Sequence, residues 1–236
     1  MDVKKTLLKR GWPLLLLLLL SLLLWTFGIG DYLSFTTLKI YHHQLRTFVI
    51  DHPFLVIILY VLTYIVVVTF SIPGATVMTI TGGFLFGIVK GTIATVISAT
   101  VGATFVFILA RYATDEILTQ KVAPWLNKLE EGFKKNAFQY LLTLRLIPLF
   151  PFFAVNLVAA LLRVPLKTFT LATLIGIIPG SLIYGSLGVG LESILHQSPT
   201  ISLTQMVTWQ MKVALMGLAI LVLLPIIYKK WLKKGE

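Results

Sequence analysis

The chain has 236 residues, 57% of them hydrophobic and only 12% charged, a balance that excludes an ordinary soluble domain and marks an integral membrane protein. Its net charge is +11, but most basic residues sit at the ends of apolar runs, where the positive-inside rule and anionic headgroups account for them, so nucleic acid is not expected as a partner. With no cysteine, disulfides, thiolate metal sites and cysteine nucleophiles are all ruled out.

Residues 1–52 form an amino-terminal unit. Lys4, Lys5, Lys9 and Arg10 precede Trp12–Ile29, a leucine-rich run about long enough to cross a bilayer. It is longer than a signal-peptide core and no small-x-small cleavage site follows, so an uncleaved anchor with its amino end in the cytoplasm is predicted. Residues 31–52 then mix Lys39, His42, His43, Arg46 and His52 with Phe35, Leu38, Ile40, Leu45 and Phe48, the pattern of an amphipathic helix lying in the interface. Adjacent His42 and His43 diverge on a helix and no acid completes a ligand set, so neither a metal site nor a cofactor is expected.

Residues 53–195 make the membrane core. Phe54–Phe70 is predicted to span. Residues 71–87 stay apolar while carrying Pro73-Gly74, Gly82-Gly83 and Gly87, which implies a broken element shaped by those five residues. The alternative is a short loop in water capping the next helix, where Val77, Met78, Ile80 and Phe84 would be out of place. Gly91–Ala110 follows as a span lined with small residues and ends at Arg111. From Arg111 to Asn136 charges roughly balance, and Trp125, Leu126, Leu129 and Phe133 recur at helical spacing, predicting a helix on the membrane surface.

Arg145, Pro148, Pro151 and Asn156 then interrupt an apolar stretch running from Phe138 to Leu162. An arginine at bilayer depth costs roughly 2.5 kcal/mol or more, so it normally faces protein or a wet cavity. Each proline lacks an N–H and turns its predecessor away from helical angles. Broken backbone at that depth survives only where protein or water satisfies it, so a re-entrant hairpin is predicted. Phe169–Leu187 spans next, kinked at Pro179-Gly180. Residues 196–236 hold a last span, Val207–Tyr228, and a basic tail.

The predicted fold is therefore all-α, with five or six transmembrane helices and two facing re-entrant hairpins in an inverted-repeat-like core. Residues 71–87 then 91–110 echo 138–162 then 169–190, with Ile72-Pro73 matching Ile147-Pro148. Five spans would put the two basic ends on opposite sides; six, with 138–162 crossing fully, would put both in the cytoplasm.

Pro73-Gly74 with Gly82-Gly83-Phe84-Leu85-Phe86-Gly87, Gly102 leading to Phe107 and Arg111, and Arg145 to Asn156 with its two prolines resemble, in that order, the VTT-domain family. This family is also called DedA-like or SNARE-associated Golgi proteins, and the likeness is to its small bacterial members, over about residues 53 to 195. The resemblance implies a multi-pass protein of the bacterial inner membrane with two facing re-entrant loops. It also implies lipid handling, as a scramblase or as a flippase for undecaprenyl phosphate. One feature departs from the family: many members carry an acidic residue in the first loop, associated with proton coupling, whereas no Asp or Glu occurs here between Asp51 and Asp115. Proton drive is therefore not carried over.

A lipid translocator with a polar cleft for an anionic headgroup is the leading expectation, with Arg145, Asn156 and Arg111 as substrate-binding residues. Guanidinium matches phosphate oxygens with two parallel donors, Asn156 is a neutral partner, and Arg111 is a charge at the cleft mouth. Against this, Arg145 could snorkel from roughly 10 Å deep, at 1.5 Å per residue from Phe138. Arg111 could be an interfacial anchor, and Asn156 a hairpin cap. The alternatives are an assembly factor for other membrane proteins and a small-solute transporter. An enzyme is disfavoured, because no carboxylate or histidine in the apolar segments can act as base. Membrane lipids are the expected partners, and homo-oligomerisation is left open.

Overall fold

The computed structural model describes residues 35–72, 74–113, 136–146 and 150–196, with positions 19, 23, 26, 133 and 216 besides. The amino-terminal anchor, the surface helix after Asp115, the last span, Pro73 and Pro148 lie outside the described residues. Among the described residues the chain is helical with no strand. Helix α1 is Phe35–Asp51 and α2 is Pro53–Thr69, begun by a proline in its first turn, where the missing N–H has no partner to lose. Helix α3, Ala75–Ala113, is broken at Gly87 into two arms. Residues 136–146 form α4, Phe152–Leu161 is α5, Leu166–Gly176 is α6 and Ile178–His196 is α7.

Helix α2 and the first arm of α3 fold back on each other. Tyr60 donates its hydroxyl to the Met78 carbonyl at 2.9 Å, and Tyr64, one turn later, reaches back to the Ala75 carbonyl at 3.1 Å. The residue order is therefore antiparallel. The reversal is made by Ser71, at φ 51, and Gly74, at φ 140. Ser71 N–H bonds the Val68 carbonyl and Ile72 N–H the Val67 carbonyl, at 3.0 and 2.9 Å, a Schellman end that satisfies the last carbonyls of α2. The same end closes α5: Arg163 has φ 53, its N–H bonds Ala160, and Val164 N–H bonds Ala159. In both places a buried β-branched residue, Ile72 or Val164, precedes a proline in the sequence. The structural echo of Ile72-Pro73 is thus Val164-Pro165.

The predicted span Phe54–Phe70 is helix α2, which pairs with the first arm of α3 as a helical hairpin. Two predicted features need correction. Gly82-Gly83 does not break its helix. Both residues are helical, and the break falls at Gly87, whose φ of 76 and ψ of 176 lie in a region that is essentially glycine's alone. The kink expected at Pro179-Gly180 lies earlier, between Gly176 and Ile178, because a proline removes the bond to the carbonyl four residues back and disturbs the turn before it.

Glycines 82 and 83 serve close packing. A β-carbon on Gly91 would strike the Gly82 backbone, so the two arms of α3 touch main chain to main chain. One on Gly83 would strike the Gly185 backbone, and one on Gly188 the Ile80 carbonyl, so α7 lies directly on the first arm. Small residues at crossings are how apolar helices associate where burial from water provides no drive. On the outside, Phe54, Ile58, Leu62 and Val66 of α2 and Val89, Ile93, Ile97, Val101 and Phe105 of α3 are exposed at every fourth position. Two continuous apolar stripes of this kind suit a lipid-facing surface.

Candidate functional site

Arg145 lies near the end of α4 and Asn156 in the second turn of α5. Their side chains meet, Arg145 Nη2 donating to Asn156 Oδ1 at 2.5 Å. Eleven positions of unbroken helix would hold these residues about 16 Å apart, so the chain must double back between them. The same Nη2 donates to Thr173 Oγ1 of α6 at 3.1 Å, and Nη1 to the Phe152 carbonyl at 3.4 Å. The guanidinium carbon lies 4.3 Å from the centre of the Phe152 ring and 5.5 Å from that of Phe169. Gly176 lets α4 come this close, since a β-carbon there would lie 2.6 Å from Arg145 Cβ.

Every acceptor of Arg145 among the described residues is neutral. The side chain is only partly exposed. Its Nε is buried and meets no acceptor among the described residues, and the same holds for Nδ2 of the fully buried Asn156. The cluster therefore keeps a full positive charge and two unused donors inside the protein, where an unmet polar group costs about 1–3 kcal/mol.

A cavity of about 180 Å³ adjoins this cluster, and both helical reversals contribute to it. Ala75, Thr76 and Thr79 line it from the first, Arg145, Leu146 and Phe152 from the second, and Tyr64, Ser181 and Tyr184 add hydroxyl-bearing side chains. Among the described residues, no carboxylate or imidazole belongs to its lining.

Arg111 stands apart. It is exposed, and its Nη1 donates to the Val164 carbonyl at 2.9 Å. Val164 precedes α6 and Thr173 lies two turns into it, so the two arginines are separated by at least about 10 Å along that helix. Arg111 thus secures the α5–α6 turn rather than joining the cavity. Of the hairpin-shaping residues, Gly74 and Gly87 lie at reversals, Gly82 and Gly83 at helix contacts, and Pro151 caps α5.

Sequence reasoning overlooked Tyr64, Thr79, Thr173 and Gly176. The signal for the first was available, because Tyr60 and Tyr64 put two phenol hydroxyls one turn apart in a run that is otherwise apolar but for Thr63 and Thr69. Thr173 and Gly176 carry no local mark.

The VTT domain matches residues 72–190. Transmembrane protein 41B of Mus musculus is 31% identical over 183 residues, covering 76% of this chain and 60% of that protein. The Xenopus tropicalis protein of the same name is 32% identical over 76% of this chain and 63% of its own length. Transmembrane protein 41 homolog of Dictyostelium discoideum is 29% identical over 85% and 59%. The chain thus spans about three-fifths of the length of these relatives. No solved structure matches. A domain match over half the chain, apolar helices long enough to cross a bilayer at Ala75–Ala113 and Leu166–Leu191, and the ordered hairpin motifs together assign the chain to the VTT-domain family of membrane proteins.

Proposed function

We propose that this protein is a lipid translocator, which lets an anionic phosphate headgroup cross through the cavity beside Arg145 while the acyl chains stay in the bilayer. The observation that carries the reading is a partly buried guanidinium whose described partners are all neutral, beside a cavity with no acid among its described lining residues. Guanidinium and phosphate are complementary in shape as well as charge, and an anion entering there would meet a charge that no carboxylate has already satisfied.

In this reading the two reversals are re-entrant. The first arm of α3 is about 18 Å long and α5 about 15 Å, both short of the roughly 30 Å hydrocarbon core, whereas the second arm of α3 runs for about 40 Å. Each hairpin would then enter the membrane and turn back at the cavity, and the long helices would cross. The headgroup is moved and not altered, because the described lining offers no general base. The motif resemblance to small bacterial members supports a bacterial inner membrane as the site of this activity.

Reconstitution into liposomes with labelled phosphatidylglycerol or undecaprenyl phosphate is the test. Wild-type protein should raise transbilayer exchange, Arg145→Gln should lower it at least about tenfold, the worth of one charge-assisted hydrogen bond, and Arg145→Glu should abolish it. Folded wild-type protein that moves neither lipid would assign the hairpins to assembly of other membrane proteins.

A further inference from the structure

The second cavity has no part in the chemistry above. It is a groove of about 410 Å³ on the outer surface, between α2 and the second arm of α3, and its exposed lining is wholly apolar. Ile57 and Val61 form one wall, and Ile93 and Ile97 the other. The two helices run parallel here, since Tyr60 meets Thr95 and Gly102 packs against Val68. The groove therefore has a direction, and Lys90 stands at one end of it, three residues after the break at Gly87. Lys90 is exposed.

We infer that this groove is a binding site for one acyl chain of an anionic phospholipid, whose phosphate rests on Lys90. Position, shape and charge converge on this occupant. Lys90 lies where the chain turns to begin its long apolar arm, the level at which headgroups lie. The groove runs from it for about 10 Å between Lys90 and Ile97, along walls that are already lipid-facing stripes. An ammonium is a compact charge suited to a phosphate without bidentate geometry. The site is separate from Arg145 and does not depend on the translocation reading. It would hold a resident lipid against α2, the outer arm of the first hairpin.

The test is native mass spectrometry of the full-length chain in mild detergent, with phosphatidylglycerol or phosphatidylcholine of identical acyl chains. It is run in parallel on Arg145→Gln, so that lipid in the cavity is not counted as lipid in the groove. In both backgrounds one phosphatidylglycerol should be retained about fivefold better than phosphatidylcholine, the size of effect one lysine has at an anionic surface. Lys90→Glu should remove the preference, and Ile93→Trp, which fills the groove, should lower retention of both lipids. Equal retention of the two lipids, a preference unchanged in Lys90→Glu, or a second copy of the chain bound in place of lipid would overturn the assignment.

Discussion

Arg145 donates to three neutral oxygens, two on α5 and one on α6, and its behaviour depends on all of them staying neutral. Asn156 is the most exacting of the three, being wholly buried with its Nδ2 unpaired. Asn156→Leu should strand Nη2 and cost about 1–3 kcal/mol, read as a lower melting temperature in detergent. Asn156→Asp makes a sharper experiment, since it preserves shape and hydrogen bond while supplying the missing negative charge. Its melting temperature should hold or rise, while exchange falls to the level of Arg145→Gln. Undiminished exchange in Asn156→Asp would show that the free charge is not what the substrate meets.

Among the elements, α3 carries the design, because it packs on α2, α5, α6 and α7. Its two arms can lie together only because Gly87 takes a backbone conformation closed to other residues. A β-carbon at Gly87 meets nothing within 4 Å, so Gly87→Ala isolates strain from crowding and should cost about 1–3 kcal/mol in thermal unfolding. Gly83→Ala tests the opposite case. Its backbone is ordinary helix, but the added carbon strikes the Gly185 main chain, so α7 must shift, at about 1–3 kcal/mol. Because α7 supplies Ser181 and Tyr184 to the cavity, Gly83→Ala should also reduce exchange, whereas a distant destabilising change of equal size should leave exchange at its folded-protein level.

For the whole molecule the decisive feature is the distribution of charge. The only acid with a described side chain is Asp51, which is exposed at the end of α1, and the polar part of the described cavity lining is Arg145 with hydroxyl-bearing side chains, set among apolar residues. A carrier without a titrating carboxylate in its path has no group to couple to protons. Exchange in proteoliposomes should therefore be unchanged by a pH gradient or by a protonophore. Dependence on either would require an acid outside the described residues to reach the cavity.

Membrane character, helical class and the need to shelter Arg145 were legible in one dimension, because hydropathy and a charge in an apolar run act locally. The sequence could not distinguish a glycine that bends a helix from one that lets another helix approach. Gly82, Gly83 and Gly87 look alike in the chain, and only their neighbours in space separate them. Nor could it show that Thr173 and Gly176 belong with Arg145, twenty-eight and thirty-one positions away, or that Arg111 faces a turn and not the cavity. The sequence alone established that a cation must be sheltered; which atoms shelter it was decided by helix crossings, since those are set by surfaces that meet only after folding.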